Sequence, residues 1–388
     1  MEIVRSFVEK VLAELQAPRP LIQVVIGPRQ VGKTTGVRQL LQRQVFRDYH
    51  YVSADGLVLK SPSWILEQWL RAKQKSPKAL LVIDEIQKVE SWAEAIKQLW
   101  DEQTLVGTDE VKVILLGSSS LELHRGLSES LAGRFQLHRV HHWGPQESEE
   151  GYGLNLDQYL RFGGYPGSYS MIQDPVTWLS YMGDSIVDAV IGKDILSVAR
   201  VKSPALFKQC FYLACSYAGQ EISYTKLLGQ LQDRGNTDLV KHYLELFEQA
   251  FLIKQIFKYS NKRVLSRSSS PKILPLCPAL YSLTLDADYS PDNYGRAFEL
   301  SLGCLLNSLP AGELYYWRSR NFEVDYVYRY GKKLWAIEVK SIQGGAMSSP
   351  QHKGLYEFKK QFPGAELVLM HRDNYQDEME KIRSAITK

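Results

Sequence analysis

Gly27-Pro28-Arg29-Gln30-Val31-Gly32-Lys33-Thr34 is the stretch that decides the fold of this chain. It fits the pattern G-x-x-x-x-G-K-[ST], and its flanks suit that pattern. Leu21 to Ile26, in front, is a short apolar run rich in β-branched residues, which predicts a buried strand. Thr35 to Gln44, behind, predicts a helix with Leu40 and Leu41 inward and Arg38, Gln39 and Arg43 outward. A strand turning through glycines into a helix aims several backbone N–H groups and the positive end of the helix dipole at one spot. A polyphosphate is the natural occupant. Lys33 then reaches the β- and γ-phosphates, and the hydroxyl of Thr34 sits on Mg²⁺. Gly27, Pro28, Arg29, Gln30, Val31, Gly32 and Thr35 complete the nucleotide-binding set.

Working outward, Glu2 to Gln16 predicts an amphipathic helix with Ile3, Phe7, Val11 and Leu15 on one face. Tyr49 to Val52 predicts a strand and Trp64 to Lys73 a helix. Ala79 to Glu85 is an apolar strand that delivers two carboxylates at its C-terminal tip, the edge beyond which open α/β sheets bind ligands. Asp84 is placed to hold Mg²⁺ through water, and Glu85 to polarise the attacking water. The strand Val111 to Leu116 ends in Gly117-Ser118-Ser119-Ser120, where a polar residue meets the γ-phosphate or the water; Ser118 is favoured. Ser130-Leu131-Ala132-Gly133-Arg134 precedes the strand Phe135 to Val140. Arg134 is the candidate for stabilising charge on a transferring phosphoryl group, supplied to a neighbouring subunit. Its spacing suits a surface arginine equally. Strand and helix alternate over residues 20 to 140, which predicts a parallel sheet covered on both faces.

A chain of 388 residues holds two or three domains. Its net charge of +4 announces no nucleic-acid partner, so any basic surface must be local. Four cysteines without a CxxC pair suit a reducing, cytoplasmic compartment. Met1 to Arg5 lacks the order of a signal peptide, and no apolar run approaches a membrane span, so no membrane partner is expected. His138, His141 and His142 lie on or just past a strand without a cysteine or carboxylate at ligand spacing, and read as strand and loop residues.

From Gly144-Pro145 the character changes. Residues 146 to 204 read as helices broken by the turn cluster Phe162 to Gly167. Pro204 to Ala218, Ser223 to Gln232 and Thr237 to Ala250 read as three helices, followed by the strand Phe251-Leu252-Ile253. Lys254, Lys258, Lys262, Arg263 and Arg267 then line a basic hairpin. This is the outline of a winged helix, which contacts DNA or serves as a spacer. Ser266 to Ser270 makes a short polar boundary.

Gly295 to Glu299 opens a helix running to Asn307, and strands follow at Leu314 to Arg318, Glu323 to Tyr328 and Lys333 to Lys340. Alternation puts Glu338 and Lys340 on one face of the last strand, with Asp325 on its neighbour. Two carboxylates and a lysine at paired strands suit a metal-dependent hydrolase of phosphodiesters. Asp325 and Glu338 hold the ion, Lys340 stabilises charge, and Glu299 completes the set from the helix.

With these residues in hand, the chain resembles the bacterial and archaeal AAA-type P-loop ATPases that end in a domain of unknown function of PD-(D/E)XK, restriction-endonuclease-like type. The resemblance rests on the P-loop, Asp84-Glu85, Ser130 to Arg134, Gly163-Gly164-Tyr165-Pro166 and Lys193-Asp194-Ile195. It continues through Pro271-Lys272, Gly295 to Glu299, Trp317-Arg318, Glu323-Val324-Asp325 and Ile337 to Lys340. It implies ATP with Mg²⁺ at residues 27 to 34, and a nuclease-like site at Glu299, Asp325, Glu338 and Lys340 that takes Mg²⁺ or Mn²⁺. One departure is Cys277-Pro278-Ala279-Leu280, where such chains carry an aspartate. The expected architecture is α/β: an ATPase core at 1–145, a helical lid at 146–204, a winged helix at 205–267 and a nuclease-like domain at 268–388. Two functions fit: an ATP-gated, metal-dependent DNA nuclease, or an ATP-driven switch or remodeller with a non-cleaving nuclease-like domain. The expected partners are ATP, DNA and further copies of the chain in a homo-oligomer, with nucleic acid or protein bound by the nuclease-like domain in the remodeller reading.

Overall fold

The computed structural model describes residues 3–18, 20–56, 60–107, 110–118, 130–196, 199, 201–231, 236–261, 269–285, 289–310, 312–341 and 352–387. Two compact units emerge. One comprises Met1–His142, Ile186–Arg200 and Gln249–Phe251; the other comprises Trp143–Ser185, Val201–Glu248 and Leu252–Lys388.

In the first unit, β1 (Ile22–Ile26), β2 (Tyr49–Ser53), β3 (Leu80–Asp84), β4 (Lys112–Gly117) and β5 (Phe135–Arg139) form the expected parallel sheet, in the order β2-β3-β4-β1-β5. β1 and β3 are buried at every position, as strands covered on both faces must be. Ile65 and Trp69 of helix α3 (Pro62–Lys75) and Ile96 of helix α4 (Trp92–Val106) share one core with Ile83 and Leu115. Helix α1 (Ser6–Leu15) meets helix α2 (Lys33–Gln42) at Gly36, where an added Cβ would fall 2.4 Å from the Phe7 ring. Only glycine permits that approach.

In the second unit the three expected helices appear as Pro204–Ser216, Tyr224–Gln230 and Thr237–Gln249. Ser203 and Ser223 cap the first two by accepting from Leu206 and Lys226 N–H. The next strand, β6 (Ile253–Lys258), pairs with β7 (Lys272–Pro275) on one side and runs parallel to β8 (Glu313–Ser319) on the other. With β9 (Phe322–Tyr330), β10 (Lys333–Val339) and β11 (Glu366–Met370), they make a six-stranded sheet ordered β11-β10-β9-β8-β6-β7. Its faces divide along β10: Trp335 and Ile337 join one core and Ala336 the other. Helix Pro291–Ser308 lies close on the first face because Gly303 leaves room for the Tyr326 hydroxyl, 2.4 Å from where a Cβ would stand.

Residues 186–200 part from the expected lid and join the first unit. β6 hydrogen-bonds into the same sheet as β8, with Phe257 opposite Tyr315. A hydrophobic strand joins whatever edge satisfies its backbone, and sequence order does not say which. The hairpin tip with Lys262, Arg263 and Arg267 lies outside the described residues, as do Ser119 and Ser120. Among the described residues no helix is long and apolar enough to cross a membrane.

Candidate functional site

β1 ends at Ile26 and the chain turns at Gly27, where a Cβ would stand 2.2 Å from the Val140 carbonyl oxygen. Gln30 (φ 57°) and Gly32 (φ 90°) take left-handed backbone, which curls the loop and starts α2 at Lys33. Arg5 clamps the loop from outside, donating to Val31 O (2.9 Å) and His141 O (3.0 Å). Beneath the loop, Lys33 Nζ donates to Gly27 O (2.9 Å) and Pro28 O (2.5 Å). Burial lowers its pKa to about 8, while Glu85 and Asp84 favour its charge.

Thr34 Oγ1 donates to Asp84 Oδ2 at 2.8 Å, and the Tyr51 hydroxyl donates to the same oxygen at 2.8 Å. The other Asp84 oxygen accepts from Glu85 N–H at 2.9 Å. Burial and the hydrogen bond to Asp84 raise the Tyr51 phenol to about 12, so it stays a donor at neutral pH. Glu85 has φ 54°, a conformation that costs about 1–3 kcal/mol outside glycine. Its Oε2 accepts from Ser118 Oγ (3.1 Å) and Gln87 Nε2 (2.5 Å). Lys33, Thr34, Asp84, Glu85 and Ser118 thus come together as the spacing predicts. A half-buried hydroxyl and a buried carboxylate oxygen 2.8 Å apart are hard ligands that suit Mg²⁺.

Arg29 points its Nε and Nη2 at Asp194, 2.6 and 2.5 Å from the two carboxylate oxygens. Arg134 makes a similar pair with Asp101, at 2.7 and 3.0 Å, on the exposed side of its unit. His138 shares a hydrogen bond with Gln23 at 2.6 Å. Burial pushes His141 down to about 4 and His142 to about 3, so both are neutral. Arg5, Tyr51, Gln87 and Asp194 escaped sequence reasoning about roles. Their only signal is the motif Lys193-Asp194-Ile195, which marks a place without a partner.

The second constellation also assembles. β9 and β10 pair with Ile337 opposite Tyr326, which sets Asp325 beside Glu338 one step on. Asp325 Oδ2 accepts from Val339 N–H at 2.8 Å. Glu338 accepts from Lys340 Nζ at 2.8 Å, and Glu299 from Arg296 at 3.2 Å. Lys272, on β7, is 5% exposed and ion-paired to Glu323. Burial and the charge of Asp325 raise Glu299 and Glu338 to about 7. Lys272 is raised despite its burial, because Glu299, Asp325 and Glu323 surround it. Among the described residues no group of three or more His, Cys, Asp or Glu side chains is placed to hold a metal ion. The carboxylates face the cations Lys272, Lys340 and Arg296 and an N–H group instead. In the expected basic hairpin, Lys254 is ion-paired to Glu248.

Residues 19–148 match a family model described as an AAA domain. The matched residues include the five-stranded parallel sheet and the loop Gly27 to Thr34. Beyond this AAA domain, residues 153–288 match a domain of unknown function, DUF8612, and residues 303–387 another, DUF4143. An uncharacterized protein of Mycobacterium tuberculosis is 24% identical over 353 residues, covering 88% of this chain and 75% of its own. A Mycobacterium bovis counterpart gives the same figures. Among solved structures, a Walker-type ATPase of Pyrococcus abyssi superposes with a TM-score of 0.48 at 15% identity, over 73% of this chain and 96% of its own. The RuvB Holliday junction branch migration motor of Thermotoga maritima superposes with a TM-score of 0.35 at 15% identity, over 65% and 88%.

Proposed function

We propose that this chain binds Mg-ATP at Gly27 to Thr35 and hydrolyses it, and that the second unit is driven by that cycle without cutting phosphodiester bonds. The observation that carries the ATPase reading is the 2.8 Å bond between Thr34 and Asp84, with Lys33 beneath the loop and Glu85 beside Ser118. Thr34 and Asp84 would hold Mg²⁺, which when bound supplies positive charge at the β- and γ-phosphates. Glu85 is oriented by Ser118 and Gln87 to accept a hydrogen bond from water, and Lys33 complements phosphate charge. Purified protein should release phosphate from ATP, and Lys33→Ala should abolish nucleotide binding. Parental turnover by Lys33→Ala ends this reading.

The switch or remodeller is preferred over the nuclease because Lys272, Lys340 and Arg296 neutralise the carboxylates from within. A site whose anions already face tethered cations has little charge left for Mg²⁺ or Mn²⁺. A PD-(D/E)XK-like ancestry, a winged-helix role for the expected segment 205–267, association of several copies and contact with DNA all belong to this reading. DNA contact rests on the basic segment from Lys254, and should weaken steeply with salt. Linear, branched and circular DNA incubated with Mg²⁺ or Mn²⁺, with and without ATP, should be bound and left intact. Nicking that requires Asp325 would restore the nuclease.

A further inference from the structure

We propose that Arg29, aimed by Asp194, is the arginine that stabilises the transferring phosphoryl group, supplied by each chain to its own P-loop; this rests on the ATP-hydrolysis reading above. Arg29 lies inside the loop, between Gly27 and Lys33. Its guanidinium is held side-on, Nε and Nη2 on Asp194, which leaves the Nη1 edge turned away from the carboxylate. Asp194 comes from the helical turn Val190–Ile195, whose Val190, Ile191 and Ile195 are buried, so packing fixes the carboxylate's place. The Asp194 side chain is 6% exposed, and a carboxylate so buried needs its cation. Two parallel bonds fix the plane of the guanidinium as well as its position.

What Arg29 faces is equally specific. Besides Asp194 its charge acts with Glu85 and Asp55, and Lys33 in turn acts with Arg29, Asp194, Glu85 and Asp84. Arg29 therefore shares one electrostatic space with the phosphate lysine and with the carboxylate beside Ser118. Arg134, the alternative, is held by the same side-on fork, and the acid that acts on its charge is Asp101, outside the phosphate loop's set.

In the reaction, the water oxygen bonds to the γ-phosphorus while the bond from that phosphorus to the bridging oxygen breaks. ADP leaves with the electron pair, the water's proton passes to Glu85, and inorganic phosphate forms. Arg29 neutralises the charge growing on the bridging and γ-oxygens. An arginine supplied within the same chain needs no neighbour, so turnover per chain should not change with protein concentration.

The test measures ATP turnover and the affinity for a fluorescent ADP analogue in the full chain, for wild type, Arg29→Ala, Arg29→Lys, Asp194→Asn, Arg134→Ala and Lys33→Ala. Arg29→Ala should lower kcat about 10³-fold, the scale of an arginine finger, while ADP affinity stays within about threefold. Arg29→Lys keeps a charge opposite Asp194, and thereby the fold, yet should recover little of kcat because lysine lacks the planar fork. Asp194→Asn should lower kcat about tenfold with affinity unchanged. Parental kcat in either Arg29 variant overturns the proposal. So does a loss of ADP affinity in Arg29→Ala equal to that of Lys33→Ala, or a larger kcat loss in Arg134→Ala than in Arg29→Ala. A wild-type chain that binds ADP but hydrolyses no ATP ends the ATPase reading and this proposal together. Hydrolysis that survives Arg29→Ala ends only the proposal.

Discussion

The P-loop site and the carboxylate cluster of the second unit use the same residue types, acids beside a lysine near strand ends, and differ in what the lysine faces. Lys33 faces the carbonyls of Gly27 and Pro28, while Asp84 and Glu85 take hydrogen bonds from neutral donors: Thr34, Tyr51, Ser118 and Gln87. Charge there is held in position and left for a ligand to complement. In the cluster, Lys272 faces Glu323 and Lys340 faces Glu338, so the charges complement one another. A motif therefore names the groups present. Which of them neutralise each other depends on partners the motif does not contain.

The strongest way to break this comparison is at the P-loop. Glu85→Gln keeps its shape and loses its charge, and should lower kcat about 10²–10³-fold with ATP affinity retained, read by phosphate release. Parental turnover would mean that Glu85 is as passive as the acids of the cluster. Next is Lys272→Met, which leaves Glu299, Glu323 and Asp325 crowded without their buried cation. Thermal unfolding should show a loss of about 3–5 kcal/mol. Millimolar Mn²⁺ should raise the Tm of this variant more than that of the parent. An equal rise in both would mean that the intact cluster binds metal after all.

A smaller effect is carried by protons. Glu299 and Glu338 titrate near 7 in the folded chain against 4.5 unperturbed, so between those values the fold holds more protons than the unfolded chain. Stability should fall as pH rises from about 4.5 to about 7, and Glu338→Gln should flatten that slope in urea titrations. A slope that rises through this window would refute the crowding. The smallest effect is expected at Arg134→Ala, whose pair with Asp101 is half-exposed. Its loss should leave the thermal melt nearly unchanged. Arg134→Ala protein should turn over ATP at the parental rate, and adding Lys33→Ala protein to it should raise turnover no further, if Arg29 acts within its own chain.

Much of the first unit was legible beforehand because its signals are local. A strand buried on both faces reads as a continuous apolar run, as at Ile22 to Ile26 and Leu80 to Ile83, and a glycine loop before a helix advertises a phosphate site. Even Glu299, Asp325, Glu338 and Lys340 were found together, since period-two alternation and hairpin pairing place side chains on a common face. Lys272 was visible only as part of a motif, because β7 reaches the cluster through β6, whose pairing with β8 sets Phe257 opposite Tyr315, more than fifty residues on, and leaves no periodic trace.

The amino-acid sequence by itself determined the parallel P-loop core, the phosphate loop, and the strands that carry both sets of acids, all through short-range pattern and backbone stereochemistry. Only the tertiary structure decided that Asp194 grips Arg29, that Asp101 grips Arg134, that Arg5 clamps the loop at Val31, and that Lys272 sits among the carboxylates. Those pairings join groups far apart along the chain, and burial strengthens the ones made by Asp194 and Lys272. Their energy depends on the water excluded and the geometry imposed by packing, quantities that no residue carries alone.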